Sequence, residues 1–332
     1  MSQASIGILG TGSYLPERVI TNEEIASRVG TTVEWIERKT QIRTRRYAAP
    51  SEATSDLGAR AGIEAIKQAG ISADQIDYII VSTSTPDSPQ PPTANLIQHE
   101  LQAHNAACFD VNAVCSGFIY ALALAQGLLT RRPDRLALVI ASDVYSRSLD
   151  FDERRTAVLL GDGAGAAIVG GMPPPYGIID FTLLSDGDAH ELIRVDAGGS
   201  RKPASHETVD SGGHFFTMRG REVRDFVLER VPPALDDLLA AGNVPRNAVD
   251  HIVPHQPNGN LLDDLQEKLG LRHAIVHRTV VDYGNVGSAS VPLTLDVANR
   301  TGAFRDGQLV LLASFGGGMA IGASLLRWMR CG

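Results

Sequence analysis

At 332 residues, 43% of them hydrophobic, the chain has room for one large domain or two closely packed halves with a sizeable core. Its net charge of −8 argues against broad binding to nucleic acid or to an anionic membrane surface, leaving only a local basic patch open. Cys108, Cys115 and Cys331 show neither CxxC spacing nor a paired framework, which argues against a disulfide scaffold and a metal site.

The chain opens on MSQASIGILGTGS, without the basic leader and long apolar segment of a signal peptide. No apolar run approaches the ~20 residues of a membrane span, so a cytoplasmic protein is expected. SDLGARAGIEAIKQAG has a helical pattern and leads towards the short strand YIIVST. After the proline-rich PDSPQPPTANLIQ (86–98) comes FDVNAV and then Cys115. SGFIYALALAQGLLTRR follows as an apolar helix, with Arg131 and Arg132 past its last turn where the macrodipole favours cations. LALVIAS is a strand, GDGAGAAIVG comes after it, and the Pro/Gly-rich GMPPPYG (171–177) falls where a first half should end. The second half runs through the helix VRDFVLERVPPALDDLLAAG, the strand DHIVPH, the turn VVDYGNVGSASVP and the strand LVLLAS, and ends on FGGGMAIG. Strands apolar on both faces require helices on both sides of each sheet.

The two halves repeat each other. IKQAGISADQIDYIIV (66–81) matches DLLAAGNVPRNAVDHIV (237–253), and DVNAVCSG from Asp110 matches DYGNVGSA from Asp282 at an offset of 172. LALVIAS (136–142) and QLVLLAS (308–314) share that offset, and GDGAGAAIVG near 165 resembles GGGMAIGASLL near 320 at a shorter one. Four matches in one order argue for duplication. The expected fold is therefore α/β, with like halves over 1–172 and 173–332 packed in five layers, α/β/α/β/α. At this offset Cys115 is the counterpart of Gly287, and Asn285 sits in a loop equivalent to the cysteine's own. His255 ends its strand as the counterpart of DYIIVS. Residues just past strand ends in doubly wound sheets face a common crevice, so these three side chains converge.

Cys115 at the head of an apolar helix predicts a stabilised thiolate, the form that acts as nucleophile; the bland alternative is a small buried hydrophobe. Gly117 allows close packing in the first turn. Pro254 and Pro257 stiffen the loop around His255. Asn285 either caps its turn or, with a neutral His255, offers hydrogen bonds to a negative charge developing on a thioester oxygen. Neither is a general base for carbon deprotonation, which points to decarboxylative chemistry. The glycines of FGGGMAIG expose backbone N–H groups that could complete an oxyanion hole with the Cys115 amide. Cys108 and Cys331 read as inert.

Together DVNAVCSGF, LLGDGAGAAIVG, VPHQPN, YGNVGSASVP and FGGGMAIG closely resemble the 3-oxoacyl-acyl-carrier-protein synthase III family of the thiolase-like superfamily, over essentially the whole chain. The resemblance implies a homodimer that needs no cofactor and takes a coenzyme A thioester as substrate. An acyl-CoA would acylate Cys115, a malonyl thioester on an acyl-carrier protein or on coenzyme A would decarboxylate beside His255 and Asn285, and a 3-oxoacyl product would follow. Starter-unit priming in polyketide or related specialised metabolism is the expected setting. A Cys115-based acyl transfer to a hydroxyl, amine or carrier thiol is the alternative. The Cys115 and Gly317 amides would form the oxyanion hole, with Phe315 beside them.

For coenzyme A the resemblance implies Trp35, Lys39 in place of a family arginine, Arg154 and Asn258. Asn260 and Glu267 stand where basic residues are common, which weakens the patch facing an acidic carrier protein; Arg219, Arg221 and Arg224 could compensate in part. Pro91 replaces an aromatic wall of the acyl pocket in a loop that crosses the dimer interface. It predicts an acyl group larger than acetyl, unless neighbouring side chains refill the space.

Overall fold

The protein's structure is a computed structural model that describes residues 5–330. Cys331 lies outside the described residues. Ten strands build two five-stranded sheets of the same order. The first contains β1 (Ser5–Tyr14), β2 (Tyr78–Ser82), β3 (Ala107–Val111), β4 (Ala137–Val144) and β5 (Asp162–Met172), arranged β1-β5-β4-β2-β3. The second contains β6 (Gly177–Leu184), β7 (His251–Pro254), β8 (Ile275–Val276), β9 (Leu309–Gly316) and β10 (Ala320–Arg327), arranged β6-β10-β9-β7-β8. In each sheet the three strands at one side are parallel and the other two join antiparallel, so every strand has a counterpart in the same place.

Helices fill the remaining layers: α1 (Val33–Thr40), α2 (Thr54–Ala69), α3 (Gly117–Leu129), α4 (Gly220–Ala241), α5 (Gly259–Leu269) and α6 (Ser290–Arg300) are the ones that matter here. α3 and α6 lie between the sheets. Phe118, Leu122 and Leu129 of α3 and Leu293 and Leu295 of α6 share one apolar core with Ile80 and Val139 of the first sheet and Val253 and Leu312 of the second. α3 is apolar beyond the face this core covers, because Leu124 and Leu128 on its other side are exposed. Two further cores set α2 against the outside of the first sheet and α4 with α5 against the outside of the second. The result is α/β/α/β/α. Among the described residues, no helix is long and apolar enough to cross a membrane.

One register differs from the sequence alignment. Asp77 N donates to Leu136 O at 2.9 Å and receives Leu136 N on its carboxylate, while Asp250 N donates to Leu309 O at 3.0 Å and receives Leu309 N in the same way. The strand pairs Tyr78 with Ala137 and His251 with Val310 agree. The halves are thus related by 173 residues, and the counterpart of Cys115 is Ser288, not Gly287. A doubly covered strand is apolar at every position, so composition matches equally well at neighbouring shifts, and only the ladder decides. The corrected relation sets Asn285 opposite Asn112, His255 opposite Ser82 and Gly316 opposite Asp143.

Candidate active site

Cys115 occupies a turn that both halves build alike. Asn112 Oδ1 accepts from Val114 N at 3.1 Å, and Asn285 Oδ1 accepts from Gly287 N at 3.0 Å. The donor residue of each pair is itself left-handed, Val114 at φ 48° and Gly287 at φ 57°. For β-branched Val114 that conformation costs about 1–3 kcal/mol, a strain the surrounding packing must hold. It delivers Cys115 into the single turn Val114–Ser116 just ahead of α3. Gly117 permits the turn to lie against β2, because a Cβ there would collide with Ser82 Oγ.

The resting thiol is not a thiolate. Burial pushes its pKa up to about 12, and the Asp143 charge adds to the effect. The N–H groups of Cys115 and Gly317 point at the sulfur and pull the other way. Desolvation outweighs the helix end that the sequence suggested, because Cys115 is buried. Those two N–H groups are nevertheless the pair expected to serve as an oxyanion hole. Cys108 is half-buried and its thiol is also raised, to about 11, chiefly by burial.

His255 follows β7, and its N–H is tied to Ala313 O at 2.7 Å. Its ring meets Phe315 edge-on, with centroids 5.4 Å apart. Burial holds its pKa down at about 3, so the imidazole is neutral at physiological pH. Nδ1 is buried with no partner among the described residues. Gln256, also buried, accepts from Thr279 N and Val280 N and donates to Pro254 O, joining the His255 loop to the approach of Asn285. The Asn285 backbone is clamped to Leu159 and Gly161, and its Oδ1 is taken by the turn, so the amide N–H2 is the end left for a ligand. Capping and donating are compatible in this residue.

Cys115, His255, Asn285, Phe315 and Gly316 line one cavity of about 40 Å³, walled by Tyr145, Ile193 and Phe216. Beyond that wall, and sharing those three side chains, lies a hollow of about 520 Å³. Pro91 is exposed and lines neither space; within one chain the aromatic wall is supplied by Phe216 and Tyr145. On another side Met218 joins the cavity to a groove of about 790 Å³ bordered by Trp35, Lys39, Arg155, Arg219, Arg221 and Asn258. Arg154 lies over the Trp35 ring, 5.0 Å from its centroid. Asn258 caps α5 through Leu261 N and borders the groove as well. Asn260 instead donates to the Arg38 and Lys39 carbonyls, fastening α5 to α1, and Arg224 is paired with Asp264.

Residues 109–187 match the 3-oxoacyl-[acyl-carrier-protein (ACP)] synthase III family, and residues 239–328 match its C-terminal part. The chain belongs to the synthase III family. The acetoacetyl CoA synthase NphT7 of Streptomyces sp. (strain CL190) is 49% identical over 99% of this chain and 100% of the relative. The beta-ketoacyl-[acyl-carrier-protein] synthase III of Caldanaerobacter subterraneus is 41% identical over 98% of both. Among solved structures, the priming beta-ketosynthase of the R1128 polyketide pathway superposes with a TM-score of 0.91 at 34% identity, covering 99% of this chain and 98% of that one. These relatives are synthases: this member is a condensing enzyme of the synthase III type, and plain acyl transfer is not favoured.

For this synthase, Asp143, Tyr145, Arg155, Ile193 and Phe216 escaped sequence reasoning. Asp143 carried one readable signal, a carboxylate at the end of the otherwise apolar LALVIASDV. The others lie in connections whose approach to the cavity depends on how the halves pack.

Proposed function

We propose that the enzyme condenses a short acyl-CoA with malonyl-CoA, forming a 3-oxoacyl-CoA and releasing carbon dioxide. The observation that carries this is that Cys115, His255 and Asn285, from different halves, line one cavity with two N–H groups aimed at the sulfur. In the first step the Cys115 sulfur attacks the acyl-CoA carbonyl, its proton leaves with the coenzyme A thiol, and the acyl-enzyme forms. The developing oxyanion takes hydrogen bonds from the Cys115 and Gly317 amides. In the second step the malonyl carboxylate leaves as carbon dioxide, the enolate oxygen is held by His255 and Asn285, and the enolate carbon attacks the acyl-enzyme. One proton returns to the released Cys115 sulfur.

The neutral imidazole suits this role. A buried N–H without an acceptor costs more than a bare lone pair, so the proton belongs on Nε2 and the unpartnered Nδ1 stays unprotonated. Trp35, stacked under Arg154, offers a face for adenine, while Lys39, Arg155 and Asn258 border the phosphate and pantetheine path. A cavity of about 40 Å³ supports a two-carbon starter. Kinship with an acetoacetyl CoA synthase, Asn260 engaged in fastening α5 and an exposed Glu267 support coenzyme A over a carrier protein as the malonyl donor. β3 is a half-buried strand at a sheet edge, which supports pairing with a second copy as a homodimer. Coenzyme A thioesters as substrates support a cytoplasmic reaction.

Intact-mass spectrometry with a panel of acyl-CoAs tests the reading. Wild type gains the acyl mass, Cys115→Ala does not, and His255→Ala acylates but releases no carbon dioxide from malonyl-CoA. Normal condensation by the His255 variant would overturn the assigned enolate site.

A further inference from the structure

The turn that carries Asn285 rests on a carboxylate that the chemistry above does not use. Asp143, the penultimate residue of β4, is fully buried and has no cationic partner among the described residues. Its Oδ2 accepts from Ser288 N at 2.8 Å and Ser288 Oγ at 2.7 Å. Its Oδ1 accepts from Ser84 N at 2.8 Å, Thr83 Oγ1 at 3.2 Å and Thr85 Oγ1 at 3.3 Å. Every contact is a donor, the arrangement an ionised carboxylate requires.

The duplication explains why it sits there. Under the 173-residue relation Asp143 corresponds to Gly316 and Ser288 to Cys115. In the second half, the N–H of the turn residue is occupied by a carboxylate oxygen. In the first half, the corresponding place is bare, because a Cβ on Gly316 would stand 2.6 Å from Cys115 Cβ and 3.3 Å from its N. One copy of the anion site is filled from within and the other is left for the substrate.

We propose that Asp143 is a positioning residue: by filling the duplicate of the oxyanion site it locks the turn Asn285–Gly287, and through that turn it sets the Asn285 amide for decarboxylation. This rests on the condensing reaction. It predicts that loss of Asp143 slows condensation without slowing acylation. Its charge also faces Cys115; the other titratable groups there, Tyr145 and His255, are held neutral at physiological pH by burial.

The test compares wild type with Asp143→Asn, which keeps the volume but sets an amide N–H2 against donors, and with the milder Ser288→Ala. Acylation by acetyl-CoA is read by intact mass, condensation by carbon dioxide release from malonyl-CoA, and Cys115 reactivity by iodoacetamide labelling against pH. For Asp143→Asn, acylation stays near wild type while condensation kcat falls about 10²-fold, the cost of a misplaced catalytic group. Its labelling profile moves to lower pH because the opposing charge is gone. Ser288→Ala keeps the backbone hydrogen bond and loses about tenfold in condensation alone, as for one hydrogen bond to a charged group at the low end of its range. Unchanged condensation in Asp143→Asn, or an equal loss of both half-reactions with no shift in labelling, overturns the proposal. Should Asp143→Asn not fold, unchanged condensation in Ser288→Ala overturns it. A wild type that acylates without condensing would instead overturn the underlying reaction.

Discussion

Replacing Gly316 with alanine places a methyl group 2.6 Å from Cys115 Cβ and 3.0 Å from its sulfur. Non-bonded carbons prefer about 3.5–4 Å, so something must move by close to an ångström. The backbone at Gly316 is extended, φ 172°, a value open to any residue; the collision alone excludes a side chain. Cys115 has little freedom to yield. The Asn112 cap holds the turn on one side, and Ser116 Oγ donates to Ala320 O at 2.9 Å on the other. Overpacking of this kind costs about 1–3 kcal/mol of stability. The same shift turns the Cys115 and Gly317 amides off the carbonyl oxygen, and misplacing one such donor slows the reaction about 10²–10³-fold. Time-resolved intact-mass measurement of acyl-enzyme formation from acetyl-CoA should therefore show a loss of at least about 10²-fold, with melting lowered by a few degrees. Acylation within about threefold of wild type, a barrier change under 1 kcal/mol, would refute the claim that this bare position shapes the oxyanion site.

Three other outcomes follow from the same geometry. Ile193→Ala thins the wall between the cavity of about 40 Å³ and the hollow of about 520 Å³, so hexanoyl-CoA should gain about tenfold relative to acetyl-CoA, roughly the value of one to two buried methylenes; an unchanged ratio counts against that wall. Trp35→Ala should raise KM for acetyl-CoA about tenfold and leave kcat nearly intact, as stacking on a base is worth about 1–3 kcal/mol; equal KM values would show that the ring only packs. Burial holds His277, like His255, neutral in the fold, with its pKa near 4. The unfolded chain takes up protons as pH falls through 6.5, so their contribution is full above that value and shrinks below it. In urea unfolding, wild type should lose more stability between pH 6.5 and 5 than His277→Gln does, and parallel profiles would disprove this source of acid sensitivity.

Most of the architecture was legible because its signals are local. LALVIAS and LVLLAS declare doubly covered strands, SGFIYALALAQGLL declares a helix that is apolar throughout, and GMPPPYG separates two halves of the same order. Cys115, His255 and Asn285 were legible as strand-end residues of equivalent elements. The exact register was not, since AS and AS align at 172 while the paired Asp77 and Asp250 ladders set 173. The thiolate expectation failed for a related reason: a helix start is visible in sequence, whereas the burial and the Asp143 charge that raise the thiol depend on how separate segments pack around it.

Periodicity, turn residues and duplication, all written in neighbouring letters, determined the five layers and the three side chains that face one another. Which N–H is left bare, which carboxylate fills its duplicate and how much room the acyl group finds were decided only when the halves packed. Those properties depend on contacts such as Gly316 with Cys115 and Asp143 with Ser288, between residues more than a hundred positions apart, whose distances no local pattern encodes.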